Sequence, residues 1–192
     1  MLRSPIAWAI VGFFGLQSLG FYALLGWLPT LLIASGQTPA AAGGLLGLAT
    51  AVGVPAGLVL SSVIGRFKSL AWWAGGASFV TLIGYMLLLL AFSAPEVTVM
   101  ACIFMGIGQA STFPMSLSII GTRASTRAQT TQLSAMSQGW GYLLAALGTF
   151  AVGQLASLTG AWSFSVAVLA GLTAVQVAVA FYSGRPGVIP AK

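Results

Sequence analysis

Charged side chains are scarce in this chain. Its 192 residues include seven basic residues, one acid and no histidine, so only 4% of the chain is charged, against about 25% in a typical soluble domain. A chain with so few charges cannot present a wetted surface to water on all sides. Apolar residues make up 58% of it, which suits an apolar solvent. The composition therefore predicts a membrane protein.

The same scarcity excludes several kinds of site. Because there is no histidine and Glu96 is the only acid, a Ser–His–Asp arrangement, a carboxylate pair and an ordinary metal site are all ruled out. We therefore expect no enzyme activity, no catalytic residues, no metal and no cofactor. The basic residues form no stripe, so no nucleic acid partner is expected. Cys102, the only cysteine, is interpreted as a small buried hydrophobe rather than a reactive thiol.

Long apolar segments recur along the chain. Each exceeds the roughly 20 residues that cross a hydrocarbon core about 30 Å thick, and none alternates as a barrel strand would. Helices satisfy their own backbone polar groups in lipid. The sequence therefore predicts an all-α membrane protein, a single bundle of six transmembrane helices at about residues 5–33, 39–64, 69–92, 96–121, 127–156 and 161–183.

Helix-start signals stand at the breaks between these segments. Ser4 and Thr38 each precede a proline, the combination of a capping hydroxyl and a proline at the first helical position. Ser93 and Glu96 fit a capping box, and the pattern recurs at 126–129. Glu96 is therefore interpreted as a helix cap rather than a functional acid.

The basic residues predict the orientation of the bundle. They lie before the first span, after the sixth, and at the breaks that follow the second and fourth: Arg3, Arg66, Lys68, Arg123, Arg127, Arg185 and Lys192. The other three loops contain no basic residue, and one of them contains Glu96. Since basic residues collect on the cytoplasmic side, we predict a plasma (inner) membrane protein with both termini in the cytoplasm.

The two halves of the chain have equal length and share a short sequence pattern. The first three spans cover residues 5–92 and the last three cover 96–183, so the two sets are equally long. Because each set contains an odd number of spans, the two sets cross the membrane in opposite directions. Gln17 and Gln109 lie near the middle of the first span of each set, and each is followed four residues later by phenylalanine. The pattern predicts two inverted three-helix repeats with a binding site between them near the midplane. Coincidence is the alternative, since only two residues match.

Polar groups at membrane depth mark the candidate binding site, because lipid leaves them unpaired unless they face a partner or a cavity. For the glutamines the alternative is hydrogen bonding between helices, and for the Trp and Tyr of the fifth span it is core packing. No acid or base lies inside a span, so these helices offer no group for a coupling proton. The candidate solute-binding residues are Gln17, Phe21, Tyr22, Gln109, Phe113, Gln138, Trp140 and Tyr142.

Glycine is dense in the second span. Gly43 and Gly47 are four residues apart, as are Gly53 and Gly57. That spacing lets two helix backbones approach closely. Both pairs therefore predict tight helix packing.

Three stretches carry a resemblance to a known family: 27–32 (WLPTLL), 106–114 (GIGQASTFP) and 141–148 (GYLLAALG). On these motifs the chain resembles the C-terminal half of a major facilitator superfamily transporter, and more narrowly it is similar to the cyanate and nitroimidazole transporter family. The superfamily's charged loop motif between its second and third helices is degenerate here, with Ser61 and Ser62 where an Asp-Arg pair would stand.

The resemblance implies two six-helix bundles around a central cavity that opens alternately to each side. It places the first and fourth spans at the centre of the cavity and the fifth on its wall. It implies a small polar solute, either a cyanate-like anion or a small planar heterocycle. The expected partners are the lipid bilayer, this solute, and a missing N-terminal six-helix half or a second copy of the chain. Two alternatives stay open, a self-contained homodimeric transporter or channel and a membrane subunit without a substrate.

Overall fold

A computed structural model describes residues 4–67 and 69–189 of the chain. Within these ranges all the regular structure is helical, and six helices are long and apolar enough to cross a membrane, which confirms the predicted all-α class. Arg3, Lys68 and Lys192, used in the orientation argument, lie outside the described residues. In chain order the elements are α1 (Pro5–Ala34), α2 (Pro39–Val63), a 3-10 turn (Ile64–Arg66), α3 (Ala71–Leu90), a 3-10 turn (Pro95–Val97), α4 (Thr98–Arg123), α5 (Arg127–Thr159) and α6 (Trp162–Ser183).

Side-chain caps begin three of these helices. The hydroxyl of Ser4 accepts a hydrogen bond from the Ala7 N–H at 3.4 Å, and the hydroxyl of Thr38 accepts one from Ala41 at 3.2 Å. Thr126 does the same at the start of α5. Each hydroxyl satisfies one of the N–H groups that a first helical turn leaves without a partner.

The predicted capping box at Ser93 is wrong. Pro95 opens a 3-10 turn, so α4 begins only at Thr98, and the Ser93 hydroxyl donates back to the Leu90 carbonyl at 3.1 Å. The box at α5 is also incomplete, because the Gln129 side chain accepts from Ser125.

The helices pack with α1 inside the bundle. α1 contacts α5 and α6 extensively and α4 and α2 less, while α3 lies between α4 and α6, and α2 lies mainly on α4. Exchanging the first three helices with the last three maps the α1–α5 contact onto α4–α2, and α3–α4 onto α6–α1. This is the pattern of neighbours that an inverted repeat would give, although the repeat itself stays a prediction.

Glycine allows the backbones of α2 and α4 to touch. A methyl group on Gly53 would come within 2.7 Å of the Gly106 carbonyl oxygen, and one on Gly57 within 2.9 Å of the Ala110 carbonyl oxygen. The packing prediction is therefore right for this pair. It is wrong for Gly43 and Gly47 within this chain, because both are exposed and have nothing within contact distance of a side chain.

Buried polar side chains connect the other helices. Gln176 of α6 donates to the Ser78 hydroxyl of α3 at 3.1 Å, and Ser165 of α6 donates to the Val152 carbonyl of α5 at 2.9 Å. Tyr85 of α3 is fully buried, and its hydroxyl donates to the Gly20 carbonyl of α1 at 3.3 Å. These bonds fix the rotational setting of helices that are apolar on all sides.

The charged residues separate to the two ends of the bundle. At one end, which we call the basic end, the Ile189 N–H donates to the Arg123 carbonyl, and α6 meets α3 where Gly184 touches Ala71. The basic residues described at this end are Arg66, Arg123, Arg127 and Arg185. Glu96 lies at the opposite end, where the Gln37 amide reaches the Thr98 hydroxyl at 3.4 Å.

Candidate solute-binding site

Aromatic rings form a continuous band across α1, α4 and α5 near the middle of these helices. Phe21 contacts Tyr22 at 5.6 Å between ring centroids, Tyr22 contacts Tyr142 at 6.3 Å, Tyr142 contacts Phe14 at 5.3 Å, and Phe14 contacts Phe113 at 6.4 Å. We call these five residues the aromatic band. Phe14 is buried, whereas the other four are between 39% and 45% exposed. Four of the eight candidate residues thus share one exposed face.

A groove of about 730 Å³ runs beside the band between α1 and α5. Trp27 forms part of its wall, and its indole N–H donates to the Thr149 carbonyl at 2.9 Å. The Thr149 hydroxyl is buried and has no hydrogen-bond partner. The groove is lined by Tyr22, Leu25, Gly26, Trp27, Tyr142, Ala146, Thr149 and Phe150. Sequence reasoning missed Trp27 and Thr149, because a span-end tryptophan and a single threonine look like membrane-interface and packing residues.

Gln109 is buried in the wall of a second cavity, of about 450 Å³, between α1, α2 and α4. Its side chain is 3% exposed and presses against Gly20, where a methyl group would collide with the amide nitrogen. The Tyr85 hydroxyl also approaches this side chain. Neither carboxamide atom of Gln109 makes a hydrogen bond of good geometry, so this amide retains unused donors and an acceptor in an apolar interior.

Gln17 lies at nearly the same depth as Gln109. Since Gln109 contacts Gly20, three residues beyond Gln17 on α1, the two glutamines differ by about 5 Å along the bundle. Gln17 is 1% exposed, and its amide donates to the neighbouring Ser18 hydroxyl at 2.7 Å. It is therefore partly satisfied within its own helix, unlike Gln109.

Gln138 and Trp140 lie outside the aromatic band. The Gln138 amide donates to the Ser134 hydroxyl one turn earlier on α5, at 2.7 Å. The Trp140 ring pairs with Trp8 at 6.2 Å, and Trp8 belongs to the first turn of α1, near the basic end. The packing of α5 on α1, with Gly15 against Gly141, turns Tyr142 toward the band and Trp140 away from it.

The site contains no formal charge. All the residues that line the two cavities are neutral, and the described residues contain no group of metal-binding side chains. What the site offers is flat aromatic surface and two phenolic hydroxyls, and behind that surface lie the buried Thr149 hydroxyl and Gln109 carboxamide. Such groups stack on and hydrogen-bond to a small planar solute.

Three known proteins with similar sequences are named as transporters or transport proteins. The chain is 33% identical over 183 residues to the 2-nitroimidazole transporter of Escherichia coli (strain K12), covering 95% of this chain and 46% of that protein. It is 34% identical to the uncharacterized transporter YycB of Bacillus subtilis (strain 168), covering 95% of the chain and 45% of that protein.

A third relative is the cyanate transport protein CynX of Escherichia coli (strain K12), 29% identical over 91% of this chain and 46% of that protein. The chain thus spans about half the length of the curated relatives that it matches. It also matches the Major Facilitator Superfamily over residues 1–149. With six apolar helices packed as one bundle and this match over most of its length, the chain is a multi-pass membrane protein that belongs to the Major Facilitator Superfamily.

Proposed function

We propose that this chain supplies one half of a transporter that carries a small polar solute across the membrane by alternating access. The exposed aromatic band, with the unpaired Gln109 amide behind it, carries the proposal. An aromatic surface at mid-membrane depth suits a cavity that a second six-helix half completes. The match to about half of each relative supports the need for that second half.

The solute that best fits these residues is small, planar and neutral. The rings of Tyr22 and Tyr142 offer stacking surfaces, and the Gln109 and Gln17 carboxamides offer donors and acceptors. An anion such as cyanate would need a cation from the second half, because neither cavity of this chain has one. Two relatives are named for 2-nitroimidazole and for cyanate, and the neutral character of this face favours the heterocycle.

The orientation completes the proposal. We place the basic end in the cytoplasm and the protein in the plasma (inner) membrane, because basic residues collect on the cytoplasmic side. Both termini then lie in the cytoplasm, and Glu96 faces the outside. In this orientation α1 and α5 run outward, and α2 and α4 run inward.

A single cysteine tests whether the band faces water. In a Cys102→Ala background, expressed with the sequences that flank the chain in its genome, we expect Tyr142→Cys to react with a charged, water-soluble thiol reagent. Phe79 is more exposed, 53% against 39% for Tyr142, but lies on α3. Phe79→Cys should therefore face lipid and stay unreactive, because the thiolate is the reacting form and needs water. Saturating 2-nitroimidazole should slow the reaction at position 142.

Equal and low reactivity at the two positions would contradict the proposal, since the band would then face lipid. Reactivity at position 142 that no added solute slows would leave the face wetted but argue against solute binding there.

A further inference from the structure

Arg123 is a buried cation at the basic end of the bundle. Its side chain is 7% exposed. Nε donates to the Ser183 carbonyl at 3.0 Å and Nη1 to the Gly187 carbonyl at 3.2 Å, so the guanidinium fastens the end of α6 to the end of α4. Gly187 has a φ of 135°, a backbone conformation that favours glycine there. Nη2 has no hydrogen-bond partner.

The one acidic side chain in the sequence is too far away to neutralise that charge. Glu96 is the only acid in the sequence and precedes α4, whereas Arg123 ends it. The 26 residues of α4 separate them by about 39 Å. The other charges described at the basic end are positive. A buried charge without a counter-charge is costly, so the surroundings of Arg123 favour an anion.

A pocket of about 320 Å³ lies beside the guanidinium. It is lined by the connection between α2 and α3, by the last turn of α4, and by the segment 183–188. Ser69, Thr122 and Arg185 contribute polar groups to its wall. None of the lining residues belongs to α1 or α5, so the pocket is separate from the solute face.

Aromatic side chains near this pocket indicate where it lies relative to the membrane surface. Phe67 stacks on Trp73 at 4.0 Å, and Trp73 is exposed. The Arg185 guanidinium lies 5.7 Å from the centre of the Tyr182 ring. Exposed tryptophan and tyrosine collect where the bilayer meets water, which is also the depth of lipid headgroup phosphates.

We propose that Arg123 and Arg185 bind the phosphate of an anionic phospholipid headgroup in this pocket. Arginine presents a planar fork that matches phosphate oxygens, and basic pockets between helix ends are suited to anionic headgroups. Because Nη2 is buried, this binding requires residues 184–188, which line the pocket, to move aside so that the phosphate reaches it. The bound lipid then holds the ends of α4 and α6 together and supplies the missing counter-charge.

Lipid retention by the purified chain in detergent tests this site. Native mass spectrometry would compare the retention of phosphatidylglycerol with that of phosphatidylcholine. Thermal unfolding would be followed by the reaction of the buried Cys102 with a thiol reagent. Samples with either lipid and samples with inorganic phosphate alone would be compared. We expect retained phosphatidylglycerol, but not phosphatidylcholine, to raise the melting temperature. Arg123→Gln should weaken its retention about fivefold, the factor for one basic residue near an anionic surface.

Two further variants keep the outcome decisive. Arg127→Gln removes an exposed charge from the same end and should retain more lipid than Arg123→Gln. If Arg123→Gln does not fold, Arg185→Gln, which alters an exposed side chain, should still weaken retention of phosphatidylglycerol relative to Arg127→Gln. Equal retention by all variants would overturn the proposal and leave a carboxylate of a protein partner as the counter-ion. Equal stabilisation by inorganic phosphate alone would overturn the lipid as its source.

Discussion

Replacing Gly106 by valine should lower the melting temperature of the bundle by about 5–10 °C. Gly106 lies where α4 crosses α2, and a methyl group there would collide with the Ala49 carbonyl oxygen. A collision with backbone cannot be relieved by a rotamer change, so the two helices must separate along their contact. Cys102 is fully buried one turn away, so its reaction with a fluorogenic thiol reagent reports the unfolding.

Gly47→Val is the matched control for this prediction. Gly47 also lies inside a transmembrane helix, but it has nothing within 4 Å of a side chain. The same change of residue should therefore shift the melting temperature by no more than about 2 °C. Equal destabilisation by the two substitutions would mean that glycine acts through helix propensity and not through the contact of α2 with α4.

Replacing Gln109 by leucine should weaken solute binding about threefold to tenfold, and Gln17→Leu should weaken it toward the lower end of that range. Losing one hydrogen bond costs about 0.5–1.5 kcal/mol, and leucine keeps the apolar bulk. Competition for uptake, measured in the assembled transporter with 2-nitroimidazole and cyanate as probes, gives the affinity. The Gln109 effect should be the larger, because neither atom of its amide makes a hydrogen bond of good geometry in the bundle.

Gln132→Leu is the control, because Gln132 is exposed at the beginning of α5. This substitution should leave the affinity for the solute unchanged. If the buried glutamines only join helices, the order of effects reverses. Expression or the melting temperature would then fall for Gln17→Leu and Gln109→Leu, while the surviving protein would bind the probe normally.

The number and class of the helices could be predicted from the sequence because lipid imposes strict rules on length and charge. Six apolar runs of sufficient length and hydroxyl caps at Ser4, Thr38 and Thr126 are local features, and they needed no tertiary information. The start of α4 was misjudged because Pro95 favours a 3-10 turn whose geometry the spacing of Ser93 and Glu96 does not reveal.

The faces of the helices could not be predicted in the same way. In a soluble helix, polar residues mark the outer side, but here both sides are apolar, so Gly43 and Gly53 look alike in sequence although only Gly53 meets another helix. The same ambiguity applies to Trp140, a candidate solute-binding residue whose ring lies against Trp8 and outside the aromatic band. The burial of Arg123 could not be predicted from the sequence, because a basic residue at the end of a span is normally exposed on the cytoplasmic side.

Uptake of radiolabelled 2-nitroimidazole tests most directly whether these six helices supply one half of a transport cavity. The purified chain, confirmed as a monomer and reconstituted into vesicles, should give no uptake above protein-free vesicles. Vesicles from cells that express the chain with the sequences that flank it in its genome should accumulate the probe, and Gln109→Leu should reduce that accumulation at low probe concentration. Robust uptake by the monomeric chain alone would contradict the proposed half-transporter, and uptake that appears only with a dimer of this chain would favour a homodimeric transporter instead.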